Sequence, residues 1–142
     1  MKFELPAYTL LRIAFGLILL THGLPKALGE SHGSMDDPMA ASINLIRNVL
    51  GLPFALQLAW LVMLLETVGS LFLTLGFYTR AVGLLFCVEM IIISVALGPT
   101  WPWIDRGIEY PVLMGFLSLY IFFRGGDVYS LDGRFWPQRE KP

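Results

Sequence analysis

The chain has 142 residues, 56% hydrophobic and only 15% charged, with a net charge of −1. A soluble domain of this size carries about a quarter charged residues, so composition places the chain among membrane proteins. The charge balance makes no case for nucleic acid, and a single cysteine excludes an internal disulfide or a CxxC redox pair.

Four apolar stretches follow one another. The first, Ala7–Leu24, ends at Gly23 and Pro25. Ala27-Leu28-Gly29 resembles a signal-peptide cleavage site, but Arg12 interrupts the would-be apolar region, and the stretch is expected to stay as a first span. The loop from Lys26 to Leu52 contains one amphipathic segment over about 38–50. There Asp37 can cap a helix that starts at Pro38, and Gly51 can end it. Ile43, Ile46, Val49 and Leu50 recur at helical spacing, which suits a surface helix on the membrane or a cap on the bundle.

The second stretch, Pro53–Phe77, has one charge in 25 residues, Glu66. Gly76, Tyr78 and Thr79 leave only a tight turn before the third, Ala81–Gly98, in which Cys87 reads as a small buried hydrophobe. The fourth, about 108–123, is short for a span and must draw on Tyr110 and its flanks. The fold expected over 1–142 is one all-α domain, an integral membrane four-helix transmembrane bundle. Four runs cannot close a barrel, and open sheet edges are not tolerated in lipid.

Lysine and arginine set the orientation. Lys2, Arg80, Arg124, Arg134, Arg139 and Lys141 flank one side, against Lys26, Arg47 and Arg106 on the other. The positive-inside rule puts both termini in the cytoplasm and the long first loop outside, with Trp60, Trp101 and Trp103 as an outer aromatic belt.

Ionisable groups at membrane depth are the entrance to function, because each costs on the order of 2.5–3.5 kcal/mol and needs a partner or a task. Measured from the cytoplasmic ends of their spans, Arg12 stands at roughly 8 Å, Glu89 at roughly 12 Å, Glu66 at roughly 16 Å and His22 at roughly 22 Å. Arg12 shares a stripe with Thr9, Gly16 and Gly23, and Glu66 shares one with Ala59, Gly69 and Ser70. Arg12 and Glu66 are therefore expected to face each other, either as a structural ion pair or as the walls of a ligand pocket. Glu89 lies about 120° from the Gly83–Cys87–Ser94 stripe, so it enters a second seam, meets a second copy or approaches lipid. Lys26 reads as a snorkelling interface anchor. His22 and His32 alone make a weak metal site, and no metal is expected. No phosphate loop and no Ser-His-Asp arrangement is present, so the chain carries no complete catalytic site.

Several short motifs, taken in order, resemble the DoxX family of small four-span membrane proteins. They are LLR at Leu10–Arg12 with Gly16, HGLPK at His22–Lys26, LLETVG at Leu64–Gly69, LGFYTR at Leu75–Arg80, Tyr110-Pro111, and YSLD at Tyr129–Asp132. The resemblance marks Arg12, His22, Lys26, Glu66 and Arg80 as family-type polar positions. It implies association with membrane oxidoreductase systems, including small subunits of thiosulfate:quinone oxidoreductases and partners in thiol and superoxide stress responses. Ser70, Glu89 and the acidic first loop depart from the pattern.

The leading expectation is an accessory subunit of a redox system in a bacterial-type inner membrane, offering a quinone a site between the first two spans. Arg12 would bond a quinone carbonyl, while Glu66, and His22 nearer the outer surface, would exchange protons. Electrons must come from a partner protein. Two alternatives belong to other classes: a non-catalytic scaffold or anchor for a partner, and a carrier for a small lipophile or anion. Glu89 on an outer face would suit a homo-oligomer.

Overall fold

A computed structural model of the chain describes residues 3–136. Lys2, Arg139 and Lys141, which enter the charge count, lie outside the described residues, as does the side chain of Trp103. Three helices are long and apolar enough to cross a membrane: α1 (Glu4–Leu28), α3 (Ala55–Leu75) and α4 (Thr79–Leu97). Between the first two lies α2 (Pro38–Asn44), prolonged by a wide turn over Leu45–Val49. A fourth long helix, α5 (Glu109–Arg124), has 16 residues, a rise of about 24 Å. That is short of the roughly 30 Å of a hydrocarbon core. A short α6 (Leu131–Phe135) closes the described chain, which has no β-strand among the described residues.

Local signals account for most boundaries. The Asp37 carboxylate accepts the Ala40 N–H at 2.8 Å and Pro38 is the first helical residue, as the cap signal required. Gly76 ends α3 in the left-handed conformation, which costs glycine little. The start of α4 is capped from far away, since the Asp132 carboxylate accepts the N–H groups of Tyr78 and Thr79 at 2.8 and 2.7 Å. That bond ties YSLD to LGFYTR, two motif pieces that the sequence leaves separate.

One boundary differs from expectation. α1 runs through Pro25 and ends at Gly29. Proline removes one N–H and crowds the preceding turn, yet the helix continues, and Lys26 in this last turn is tied to Glu66 of α3. The extension carries Lys26 round onto the inner face.

The four long helices alternate in direction around a shared core of Phe15, Leu19, Leu73, Phe86, Met114 and Ile121, with Phe15 and Phe86 edge to face at 5.8 Å. The closest pairings are α1 with α3 and α4 with α5. The start of α1 and the chain that follows α5 meet at one end of the bundle (the terminal end), and the first loop lies at the other (the loop end). Large apolar side chains also point outward, among them Leu61, Leu85, Ile91, Val95 and Phe116.

Lipid tails are as apolar as leucine, so helix association depends on close approach and polar bonds rather than on removing apolar surface from water. The small-residue stripes supply that approach. A Cβ built on Gly23 would stand 2.5 Å from the carbonyl carbon of Glu66, and one on Gly16 would stand 2.8 Å from the Ser70 carbonyl oxygen. On the other pairing, Gly83 lies against the backbone of Ser118 and Phe122 on α5. Gly23→Val is therefore expected to force α1 off α3. The cost should be about 1–3 kcal/mol, read as a lower unfolding temperature in detergent.

The apolar residues Met39, Ile43 and Ile46 of α2 and its wide turn pack on Ala55, Leu58 and Ala59 at the start of α3. α2 thus turns its apolar side onto the protein itself at the loop end.

Candidate functional site

The ionisable groups of the long helices form two clusters, one at the terminal end and one that reaches from Glu66 and Glu89 at mid-height toward the loop end, called the loop-end cluster. At the terminal end Arg12 is 1% exposed. Its Nη1 donates to the Leu73 carbonyl at 2.6 Å and the Thr74 carbonyl at 2.9 Å, and its Nε lies 3.9 Å from Asp127 Oδ2. Asp127 also accepts from Thr9 Oγ1 and from the Tyr129 N–H, both at 2.8 Å. Tyr8 bridges to the end of α5 by donating its hydroxyl to the Gly125 carbonyl at 2.5 Å. The cluster binds α1, the last turn of α3 and the chain after α5 into one joint. A cation at a helix C-terminus also meets the negative end of the helix dipole.

Arg12 and Glu66 do not face each other, contrary to the expected seam. α1 and α3 run antiparallel with Gly23 level with Glu66 and Gly16 level with Ser70 and Thr74. That register places Arg12 against Leu73 and Thr74, two helical turns from Glu66.

The partner of Glu66 is Lys26, whose Nζ donates to Oε2 at 2.5 Å, with side-chain exposures of 11% and 5%. Glu66 sits on a widened turn of α3, Leu65–Gly69, where the Ser70 N–H reaches back five residues to the Leu65 carbonyl. Such single π turns inside α-helices recur at functional sites. Glu66 and Gly69 both lie on the inner side of this turn, one toward α1 and the other toward Phe86 and Val82 of α4.

Glu89 joins this loop-end cluster. Lys26 and Glu66 are the charges within electrostatic reach of it, and its residue is 6% exposed. It therefore does not stand on an outer face, and the oligomer contact expected of that face loses its carboxylate. α4 is buried on two sides: Gly83 meets α5, while Val82, Phe86 and Glu89, spaced by three or four residues, turn toward α1 and α3. Of the three alternatives for Glu89, the second seam is the one formed. Neither carboxylate oxygen has a hydrogen-bond partner among the described residues.

His22 and His32 stand at the rim of the cluster with ring centroids 4.8 Å apart, and the Tyr110 ring lies 6.0 Å from His22. His32 and Tyr110 are also within electrostatic reach of Glu66. The loop-end site thus draws on α1, the first loop, α3, α4 and α5. Among the described residues no three His, Cys, Asp or Glu side chains are placed to hold a metal ion.

Of the expected residues, Glu66 and His22 come together here and Arg12 belongs to the other end. The family resemblance set Lys26 beside Glu66 and His22 as a polar position, while the residues alone read it as an interface anchor; Glu89 was left among three alternatives, and His32 and Tyr110 were not grouped with the site. For Lys26 a signal existed, since it lies about 40° from Arg12 on a helical wheel, on the Gly16–Gly23 stripe, provided α1 continues through Pro25.

No curated protein and no solved structure matches the chain. A family model described as DoxX matches residues 7–98, more than half of the sequence, and the match takes in Arg12, His22, Lys26, Glu66 and Glu89. With three apolar helices of spanning length this points to a membrane protein, and the chain belongs to the DoxX family.

Proposed function

We propose that the chain is an accessory subunit of an oxidoreductase system in a bacterial-type inner membrane, with four spans, both termini cytoplasmic and the loop-end cluster facing the outer leaflet. The cluster is read as a site where a quinone head group meets exchangeable protons. The observation that carries this reading is a buried group of two acids and one lysine, Glu66, Glu89 and Lys26, on three different helices. Charge at such depth is retained where it serves a proton or ligand path.

A quinone supplies two-electron, two-proton chemistry, and its electrons would come from a partner redox protein. The chain's own residues do the rest. Lys26 offers ammonium N–H groups to a carbonyl oxygen, taking the donor role that sequence gave to Arg12. Glu66 holds or releases a proton beside it, its charge balanced by Lys26 when ionised. His22, with His32, stands between the cluster and the loop end and can relay a proton outward. Arg12 serves from the other end by fixing the register of α1 on α3.

Purification in mild detergent followed by mass spectrometry of bound quinones tests the reading. Wild-type protein is expected to retain quinone, and Glu66→Gln, folded by its melting curve, is expected to lose most of it. Equal retention by Glu66→Gln would remove the proposal.

The closed Lys26–Glu66 pair, at 2.5 Å, favours a second reading in which the cluster only holds the helices of a scaffold subunit. On that reading the chain anchors a partner protein, and charge removal from both residues leaves partner binding intact.

A further inference from the structure

Glu89 is the acid that the ion pair leaves out. Lys26 gives its ammonium to Glu66, and the two buried oxygens of Glu89, within electrostatic reach of both, have no donor among the described residues. Two ionised acids against one lysine would leave a net negative charge inside the bundle. A buried carboxylate without donors is far costlier than a neutral acid. A neutral Glu89 balances the cluster and carries an O–H that needs an acceptor.

A second observation gives that acceptor a direction of approach. Between α3 and α4 runs a largely apolar groove of about 450 Å³, lined among others by Leu64, Val68, Phe72, Val82 and Leu85, with Tyr78 at its terminal end. Leu64, Val68, Phe72 and Leu85 are exposed along it, so it opens on the outer surface of the bundle. On α4 the groove residues Val82 and Leu85 precede Glu89 by seven and four positions, which puts all three on one helical face. The groove therefore leads up the helix face on which Glu89 sits, one turn beyond Leu85.

We infer that Glu89 is a protonated acid at the head of this groove, and that acid and groove together bind an amphiphile with one hydrocarbon chain and a carbonyl-type head. The chain lies along Phe72, Val68 and Leu85, and the head accepts the Glu89 O–H beside Lys26. The inference rests on the quinone reading for the identity of the head. It adds the acid that meets the head and the path of the tail.

Dicyclohexylcarbodiimide, an apolar reagent specific for protonated carboxyl groups, tests it on the full-length protein in membranes. The acid's proton passes to a carbodiimide nitrogen and its oxygen bonds the central carbon. The resulting O-acylisourea then rearranges to a stable N-acylurea, seen by peptide mass spectrometry. The expected result is an adduct on Glu89 that Glu89→Gln abolishes. A decyl-substituted benzoquinone should slow labelling several-fold, while the same ring without its chain should not. Val68→Trp, which fills the groove, should slow labelling too. An unlabelled Glu89 with labelling at Glu66 would overturn the acid assignment. Labelling of Glu89 that is indifferent to the decyl chain, or equally slowed by added phospholipid, would overturn the amphiphile site. If Glu66→Gln keeps its quinone while Glu89 is labelled and protected as described, the role of Glu66 falls and this site stands.

Discussion

Lys26→Met is expected to destabilise the protein severely, while Lys26→Met combined with Glu66→Met regains most of the loss. The pair is buried, with exposures of 11% and 5%, and closed at 2.5 Å. Removing one member strands a charge in a medium that solvates it poorly, at a cost of about 3–5 kcal/mol. Removing both strands nothing, and two apolar side chains of similar volume often restore or exceed the original stability. Thermal unfolding in a single detergent, followed for the wild type, both single variants and the double variant, measures the coupling directly. Single variants as stable as the wild type would mean that the pair is not closed in the membrane. The double variant also divides the two functional readings. If it is stable but retains no quinone, the charges serve the ligand. If it keeps its partner protein and any redox activity, they serve the scaffold.

Arg12→Met should be of comparable size, for a different reason. The guanidinium spends Nη1 on the carbonyls of Leu73 and Thr74 and places Nε beside Asp127. Its loss leaves Asp127, itself 6% exposed, without its cation, and frees two carbonyls in the last turn of α3. The cost of about 3–5 kcal/mol should appear as a lower melting temperature. It should also appear as faster proteolysis after Gly125, where the Asp127 and Asp132 bonds hold the chain to the terminal end. Arg12→Lys should recover only part, because an ammonium on a single stem cannot meet two carbonyls and a carboxylate as a planar fork does. Gly76 packs directly over this group, since a Cβ there would stand 2.7 Å from Arg12 Nη1. A fully stable Arg12→Lys would show that charge alone suffices.

Particular residues show how far the sequence could be read. Helix positions followed from apolar runs and from Asp37-Pro38 and Gly76, whose signals are local. The glycine stripes on α1 and α3 were legible because helical geometry fixes which residues share a face. Pairing along the stripes was not legible, since it depends on the axial register of two helices. The estimated heights of Arg12 and Glu66 differed by roughly 8 Å, about one and a half turns of rise, and only packing shows that the side chains do not close that gap. Ending α1 at Pro25 hid Lys26, because a proline is a probable helix stop and tertiary contact overrode it.

By itself, the sequence determined that the chain is helical and apolar, that its long helices bury small residues, and that a few charges lie too deep to be idle. These depend on composition and on the 100° turn per residue. Tertiary structure decided which charges meet: Arg12 with the end of α3 and Asp127, and Lys26 with Glu66 beside Glu89. The physical reason is register. Gly16 and Gly23 let α1 seat on the α3 backbone at one height only, and that height assigns every polar group its partner.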